Sequence, residues 1–302
     1  MSNPKSPLDE YFKTRSKKGR GMGASSLALI EAMRTTTAVI QPVTGSGVGY
    51  KLFTAGQIAS MATNEMQRVY RLLKYAREQG ILPWEWIVDE TREIERVPTW
   101  ANPQEYAECV ARSYRRDFWD QQPVRVIVVS EKGTVRGVLK PVLDAYGVGF
   151  LAVHGFSSAT MAYNLAQDDD GRDLIILYVG DFDPSGMFMS EQDLPNRFDK
   201  YDGDHIRVRR IALTQYQASD LPSFPVTDKR KDPRYRWFVE NHGDQCWELD
   251  AMDPNDLREI VTEAIQEQIE PDAWERCDRI NRAERESLKT IIANWGAGEG
   301  QS

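Results

Sequence analysis

Three acidic side chains have the types and spacing to do chemistry in this chain. Glu131 stands in Ser130-Glu131-Lys132-Gly133, and Asp181 and Asp183 stand in Gly180-Asp181-Phe182-Asp183-Pro184-Ser185-Gly186. Side chains two apart on an extended segment face the same way, so Asp181 and Asp183 can present their carboxylates to one point, about 6–7 Å apart along the backbone. Carboxylates converging without histidine or thiolate suit a hard cation such as Mg²⁺, held through oxygen ligands and shared with a phosphate. The three cysteines are widely spaced and never form a CxxC pair, which argues against a zinc site and against a disulfide framework. Pro184 reads as the first residue of a helix with Asp183 as its cap, and a helix N-terminus there would favour a bound phosphate. Other acidic residues read differently. Glu248 and Asp250 alternate as on a late strand and read as edge or turn residues, and Asp168, Asp169 and Asp170 read as a solvated loop. His154 follows a strand and reads as a hydrogen-bonded structural histidine or a phosphate contact.

The elements that must position these groups follow from the hydrophobic pattern. Val124 to Val129 is a continuous apolar, β-branched run, the mark of a strand buried on both faces of a parallel sheet. Gly133 to Ala145 reads as a helix, Gly149 to Val153 as a strand, Ser157 to Ala166 as a helix and Leu174 to Val179 as a third strand. This βαβαβ alternation predicts an α/β unit whose ligands bind beyond the carboxyl ends of the strands. Glu131 follows the first strand and the Asp181–Asp183 pair follows the third. They converge if those two strands are neighbours.

The first hundred residues have another rhythm. Residues 1–23, with Lys13, Arg15, Lys17, Lys18 and Arg20, lack periodicity and read as a basic flexible arm. Within residues 24–100, Ser26 to Met33 reads as a helix, Gly45 to Gly49 as a Gly-rich turn, and a helix capped by Asn64 carries Met66, Val69, Tyr70, Leu73 and Ala76 at helical spacing. Its polar side carries Arg68, Arg71, Lys74 and Arg77, three residues apart, as a basic band. Trp84 to Arg96 could make a short hairpin, with Trp84 and Trp86 in the core. That order predicts a winged helix-turn-helix domain whose band contacts DNA phosphates. Residues 101–302 then form the α/β domain with a C-terminal helical extension. Lys229, Arg230, Lys231, Arg234 and Arg236 form a second basic cluster, read as a solvated loop or a phosphate-facing patch.

Composition bounds the class. With 302 residues, 41% hydrophobic and 28% charged, the chain reads as a globular protein of two domains. No run approaches the roughly 20 apolar residues of a membrane helix, and no signal-peptide segment is seen, so a cytoplasmic protein without a membrane partner is expected. A net charge of -8 argues against a uniformly basic coat on nucleic acid and leaves room for a local basic groove.

The Glu131 site followed by GDFDPSG resembles a Toprim domain, the Mg²⁺-binding module of topoisomerases, primases and related nucleases. The Asp-x-Asp-Pro-x-Gly form is similar to that of the topoisomerase VI A subunit and its meiotic double-strand-break relatives, in which a winged helix precedes the Toprim domain. The resemblance spans roughly Ser26 to Met252 and is tightest over Val124 to Gly186. It implies a Mg²⁺-dependent DNA nuclease or transesterase acting as a homodimer, with Glu131 as general acid/base or metal ligand and Asp181 and Asp183 as metal ligands. It also implies a nucleophilic tyrosine, best matched by Tyr50 in Gly47-Val48-Gly49-Tyr50-Lys51-Leu52-Phe53, held against the metal site of the other protomer. Here Gly49 replaces the family's first tyrosine and Ser46 its upstream arginine, so a packed core tyrosine stays open as a reading of Tyr50. No Walker loop is present, so ATP-driven strand passage would need a separate ATPase subunit. Two other readings are a DNA-binding assembly component that has lost its chemistry and a small-molecule phosphohydrolase.

Overall fold

The computed structural model describes residues 22–88, 97–153 and 159–295. The helix expected near Ser26 runs longer, as α1 (Ala24–Ile40), and buries Leu29, Ile30, Met33 and Ile40. A short strand β1 (Val43–Thr44) leads into α2 (Gly45–Thr54), followed by α3 (Thr63–Glu78) and β2 (Ile87–Val88). The Gly-rich stretch read as a turn is therefore a helix. Each glycine costs about 1 kcal/mol of helix propensity against alanine, yet packing demands it: a Cβ on Gly49 would lie 2.4 Å from Met66 Cε. Without that atom α2 lies directly against α3. Thr44 caps α2, its Oγ1 accepting the Gly47 N–H at 2.9 Å.

Four further expectations are corrected in this region. Asn64 lies inside α3 and caps nothing, because the helix starts at Thr63. Tyr70, counted with the apolar face, is 46% exposed. Trp84 is 56% exposed beneath the Arg77 guanidinium, 4.3 Å from its ring centroid, whereas Trp86 packs against the helical core. In place of the start of a hairpin, Trp84–Trp86 makes one 3-10 turn, and β2 pairs in parallel with β1. The remainder of that segment, residues 89–96, lies outside the described residues, as do the basic arm up to residue 21, His154 and Ser157.

After α4 (Pro103–Ser113) come β3 (Val124–Ser130), α5 (Val135–Tyr146), β4 (Gly149–Ala152), α6 (Ala159–Gln167), β5 (Asp173–Val179), α7 (Pro184–Phe188), α8 (Leu194–Lys200) and β6 (Ile206–Ala212). The four strands β3 to β6 are parallel and ordered β4-β3-β5-β6. The chain leaves β3 on one side to form β4 and returns on the other to form β5. A topological switch point therefore lies between β3 and β5, where crevices form in such sheets. Val128, Leu139, Leu177 and Phe182 build the core on one face, and Ile176, Tyr178 and Phe198 build it on the other. On the edge strand β6, Arg207 and Arg209 point to solvent, a charge pattern that discourages pairing with another sheet.

The chain continues through α9 (Gln215–Ala218), β7 (Phe224–Pro225), α10 (Tyr235–His242), β8 (Gln245–Cys246), α11 (Pro254–Gln266) and α12 (Pro271–Trp295). α11 packs on α5 and β6, and α12 runs along α4. The N-terminal helices are fastened to this half by the Lys51–Asp253 ion pair at 2.7 Å and by Arg258, which donates to the carbonyls of Ile40, Gln41 and Pro42. Among the described residues no helix is long and apolar enough to cross a membrane.

Candidate functional site

The register of the two central strands brings the acidic residues together. Ser130 at the end of β3 pairs with Val179 at the end of β5, so Glu131 and the Gly180–Asp181 peptide leave the sheet side by side at the switch point. Glu131 is half-buried, and burial followed by the charges of Asp183 and Asp181 pushes its pKa above the ordinary carboxylate value. Asp181 is raised in the same direction, with burial the largest cause and Lys132 opposing it.

The residue between the aspartates does the positioning. Phe182 is buried, with its ring edge-on to Trp247 and Phe238, while its backbone exchanges two 2.9 Å hydrogen bonds with Trp247. Turning Phe182 inward leaves the flanking carboxylates on the opposite side, as the period of an extended segment requires. As expected, Asp183 caps α7, its Oδ1 accepting the Gly186 N–H at 2.8 Å, with Pro184 in the first turn. Gly186 cannot carry a side chain, since a Cβ would meet the Asp181 carbonyl oxygen at 2.3 Å. From β6, the Arg210 guanidinium donates to the carbonyls of Gly180, Asp181, Ala212 and Leu213, at 2.9–3.2 Å, and to Ser190 Oγ at 3.0 Å.

The bridge to Trp247 also brings up Glu248 and Asp250, which read in sequence as edge or turn residues of a late strand and stand at a turn, outside any strand. Glu248 precedes a 3-10 turn, Leu249–Ala251, and the Leu249 N–H donates to Asp181 Oδ1 at 2.8 Å. Asp250 accepts the Thr44 hydroxyl at 2.6 Å, joining the cap of α2 to the cluster. Five carboxylates thus gather where three were expected. Their acid-x-acid spacing, Glu248-x-Asp250, repeats that of Asp181-x-Asp183 and was the available signal.

Two lysines enter the cluster. Lys132 Nζ lies 3.0 Å from Asp181 Oδ1 and 3.5 Å from Asp250 Oδ2, and Lys229 Nζ lies 3.1 Å from Asp183 Oδ2. Burial disfavours the Lys132 charge, but Asp181, Asp250 and Glu248 outweigh it and drive its pKa above the ordinary lysine value. Among the described residues no group of three or more His, Cys, Asp or Glu side chains is drawn together tightly enough to hold a metal ion. The donor chemistry nonetheless fits a hard divalent cation: every donor is oxygen, and carboxylates outnumber ammonium groups. An orphaned polar atom points the same way, because the buried Tyr178 hydroxyl, in the field of Glu131, Asp181 and Asp183, has no hydrogen-bond partner among the described residues.

Tyr50 lies on α2 and is 7% exposed. It does not pack only on apolar neighbours: Glu248, Asp250, Asp181 and Lys132 of the same chain all act on its hydroxyl. Burial first, and then Glu248 and Asp250, push its pKa well above the ordinary phenol value, while Lys132 works against them. The basic band lies on α3 as expected. Arg71 and Lys74 are exposed, Arg68 donates to Ser25 Oγ at 2.8 Å, Arg77 donates to the Trp84 carbonyl at 3.2 Å, and Lys74 lies 3.7 Å from Glu78. The Asp168–Asp170 loop is exposed, with Asp168 and Asp170 pairing with Arg125. No protein family, curated protein or solved structure matches the chain.

Proposed function

We propose that the chain is a Toprim-type, Mg²⁺-dependent enzyme that cleaves DNA phosphodiesters, its N-terminal helices acting as a winged-helix DNA-binding unit. The observation that carries this reading is the Ser130–Val179 register, which sets Glu131 beside Asp181 and Asp183 at the switch point of a parallel sheet. In this reading Asp181 and Asp183 hold the metal, and the bound ion would stabilise charge developing on the phosphate. Glu131 serves as general acid/base, a role for which its raised pKa suits it. Arg68, Arg71, Lys74 and Arg77 contact backbone phosphates. Replacing Arg71 and Lys74, the two exposed members, with alanine is expected to weaken DNA binding on all sequences alike. It should also make the salt dependence shallower by about one unit of slope per lost phosphate contact. An unchanged affinity and slope in a filter-binding titration would remove α3 from the interface.

The proposal favours water over Tyr50 as the attacking group. A buried phenol facing carboxylates keeps its proton, and only the phenolate attacks phosphorus readily. Tyr50→Phe is therefore expected to cut DNA nearly as well as the parent, with no covalent protein–DNA adduct on a denaturing gel of end-labelled DNA. A Tyr50-dependent covalent band would reverse that choice.

One observation favours a second reading, a DNA-binding assembly component without chemistry: Lys132 and Lys229 already neutralise Asp181 and Asp183. A Mg²⁺ titration with and without DNA separates the two. Metal-dependent cleavage supports the enzyme, DNA binding without turnover supports the assembly role, and metal binding with neither supports a phosphohydrolase of small molecules.

A further inference from the structure

Lys132 reaches from the end of β3 to both the Asp181 loop and the turn on which α2 rests, at 3.0 and 3.5 Å. Among the described residues it is the one cation paired with either aspartate, whose other partners are the Leu249 N–H and the Thr44 hydroxyl. Glu131 and Glu248 stand in the same field and form no ion pair among the described residues. The cluster is short of positive charge, a deficit that a doubly charged ion relieves better than one ammonium group.

We propose that Lys132 is the resident counter-cation of the metal-free site and that a divalent cation displaces it from Asp181 and Asp250. This rests on the metal reading above. An ion ligated at about 2.0–2.1 Å takes the carboxylate lone pairs that Lys132 uses and repels its charge. The Lys132 side chain is 30% exposed on a flexible four-carbon stem, so its head can turn toward solvent, the side from which a phosphate arrives. Lys132 thus sets how much metal the site needs before it fills, and once released it offers a positive charge to the incoming anion.

The test uses Mn²⁺ as the probe ion on DNA-free protein, so that its readout is binding and not turnover. In calorimetric titrations Lys132→Gln should bind Mn²⁺ about tenfold more tightly than the parent, the equivalent of one charge-assisted hydrogen bond no longer competing. Asp181→Asn should bind it more weakly. In the parent itself, acetylation of Lys132 by acetic anhydride, followed by peptide mass spectrometry, should speed up when Mn²⁺ saturates the site. That measurement stands even if Lys132→Gln does not fold. Parent protein that binds Mn²⁺ through Asp181, with no gain in Lys132→Gln and no faster acetylation, overturns the displacement and leaves the metal reading intact. Absence of Mn²⁺ binding in both parent and Lys132→Gln overturns the metal reading and the displacement together.

Discussion

Asp181→Asn is expected to lower Mg²⁺-dependent DNA cleavage by about a thousandfold or more, some 4 kcal/mol of transition-state stabilisation, in a chain that stays folded. Loss of activity follows from ligand chemistry, since a neutral amide is a poor ligand for a hard divalent ion. Retention of the fold follows from the surroundings. The amide oxygen still accepts the Leu249 N–H, and Lys132 keeps Asp250. Burial already disfavours the ionised Asp181, so neutralising it relieves a cost of the folded state. Plasmid relaxation and linearisation in Mg²⁺, beside a thermal melt, measure both halves. Cleavage that survives in Asp181→Asn and in Asp183→Asn alike would end the Toprim reading.

Arg210→Met should cost stability on the order of 3 kcal/mol, lowering Tm by roughly 6–12 °C. The guanidinium is the donor on which four carbonyls at the ends of β5 and β6 and the Ser190 hydroxyl converge, and a thioether supplies none of those hydrogen bonds. The Gly180 and Ala212 carbonyls keep the backbone N–H groups of Leu213 and Gly180, so the cost falls on the bonds to Asp181, Leu213 and Ser190, and a buried acceptor left unpaired costs more than the bond it loses. Two of the four carbonyls belong to Gly180 and Asp181, so cleavage should fall with stability even at temperatures where the variant is folded. Arg210→Lys should rescue little, because one ammonium group cannot span acceptors on both loops. A melt indistinguishable from the parent's would show that the loops after β5 and β6 hold themselves.

The parts of the site built from local pattern were legible in the sequence. The apolar strand runs of β3 and β5, the break to Glu131 and the Asp183-Pro184 helix start all read correctly, because each depends on residues within a few positions. What escaped depends on contacts distant in the chain. Glu248 and Asp250 join only because Trp247 bridges Phe182: their acid-x-acid spacing repeats that of the first pair but does not say which segment they meet. Lys132 carries no signal of its own in the sequence, and Lys229 reads only as a member of a basic cluster, since a lysine's partner is not encoded beside it. The helical Gly45–Thr54 ran against propensity, and its reason, the crowding of Gly49 by Met66, lies on another helix. Trp84 misled in the opposite sense: an indole beside apolar neighbours suggested core, but a cation covers its outer face.

The position of Tyr50 sets how the protein should be counted. Its hydroxyl lies in the field of the carboxylates of its own chain, joined through Thr44, Lys51 and Arg258 rather than through a second protomer. The smallest particle holding every group of the cluster is then one polypeptide. Dilution does not dismantle such a set, and a rate that depends on it rises in simple proportion to protein concentration.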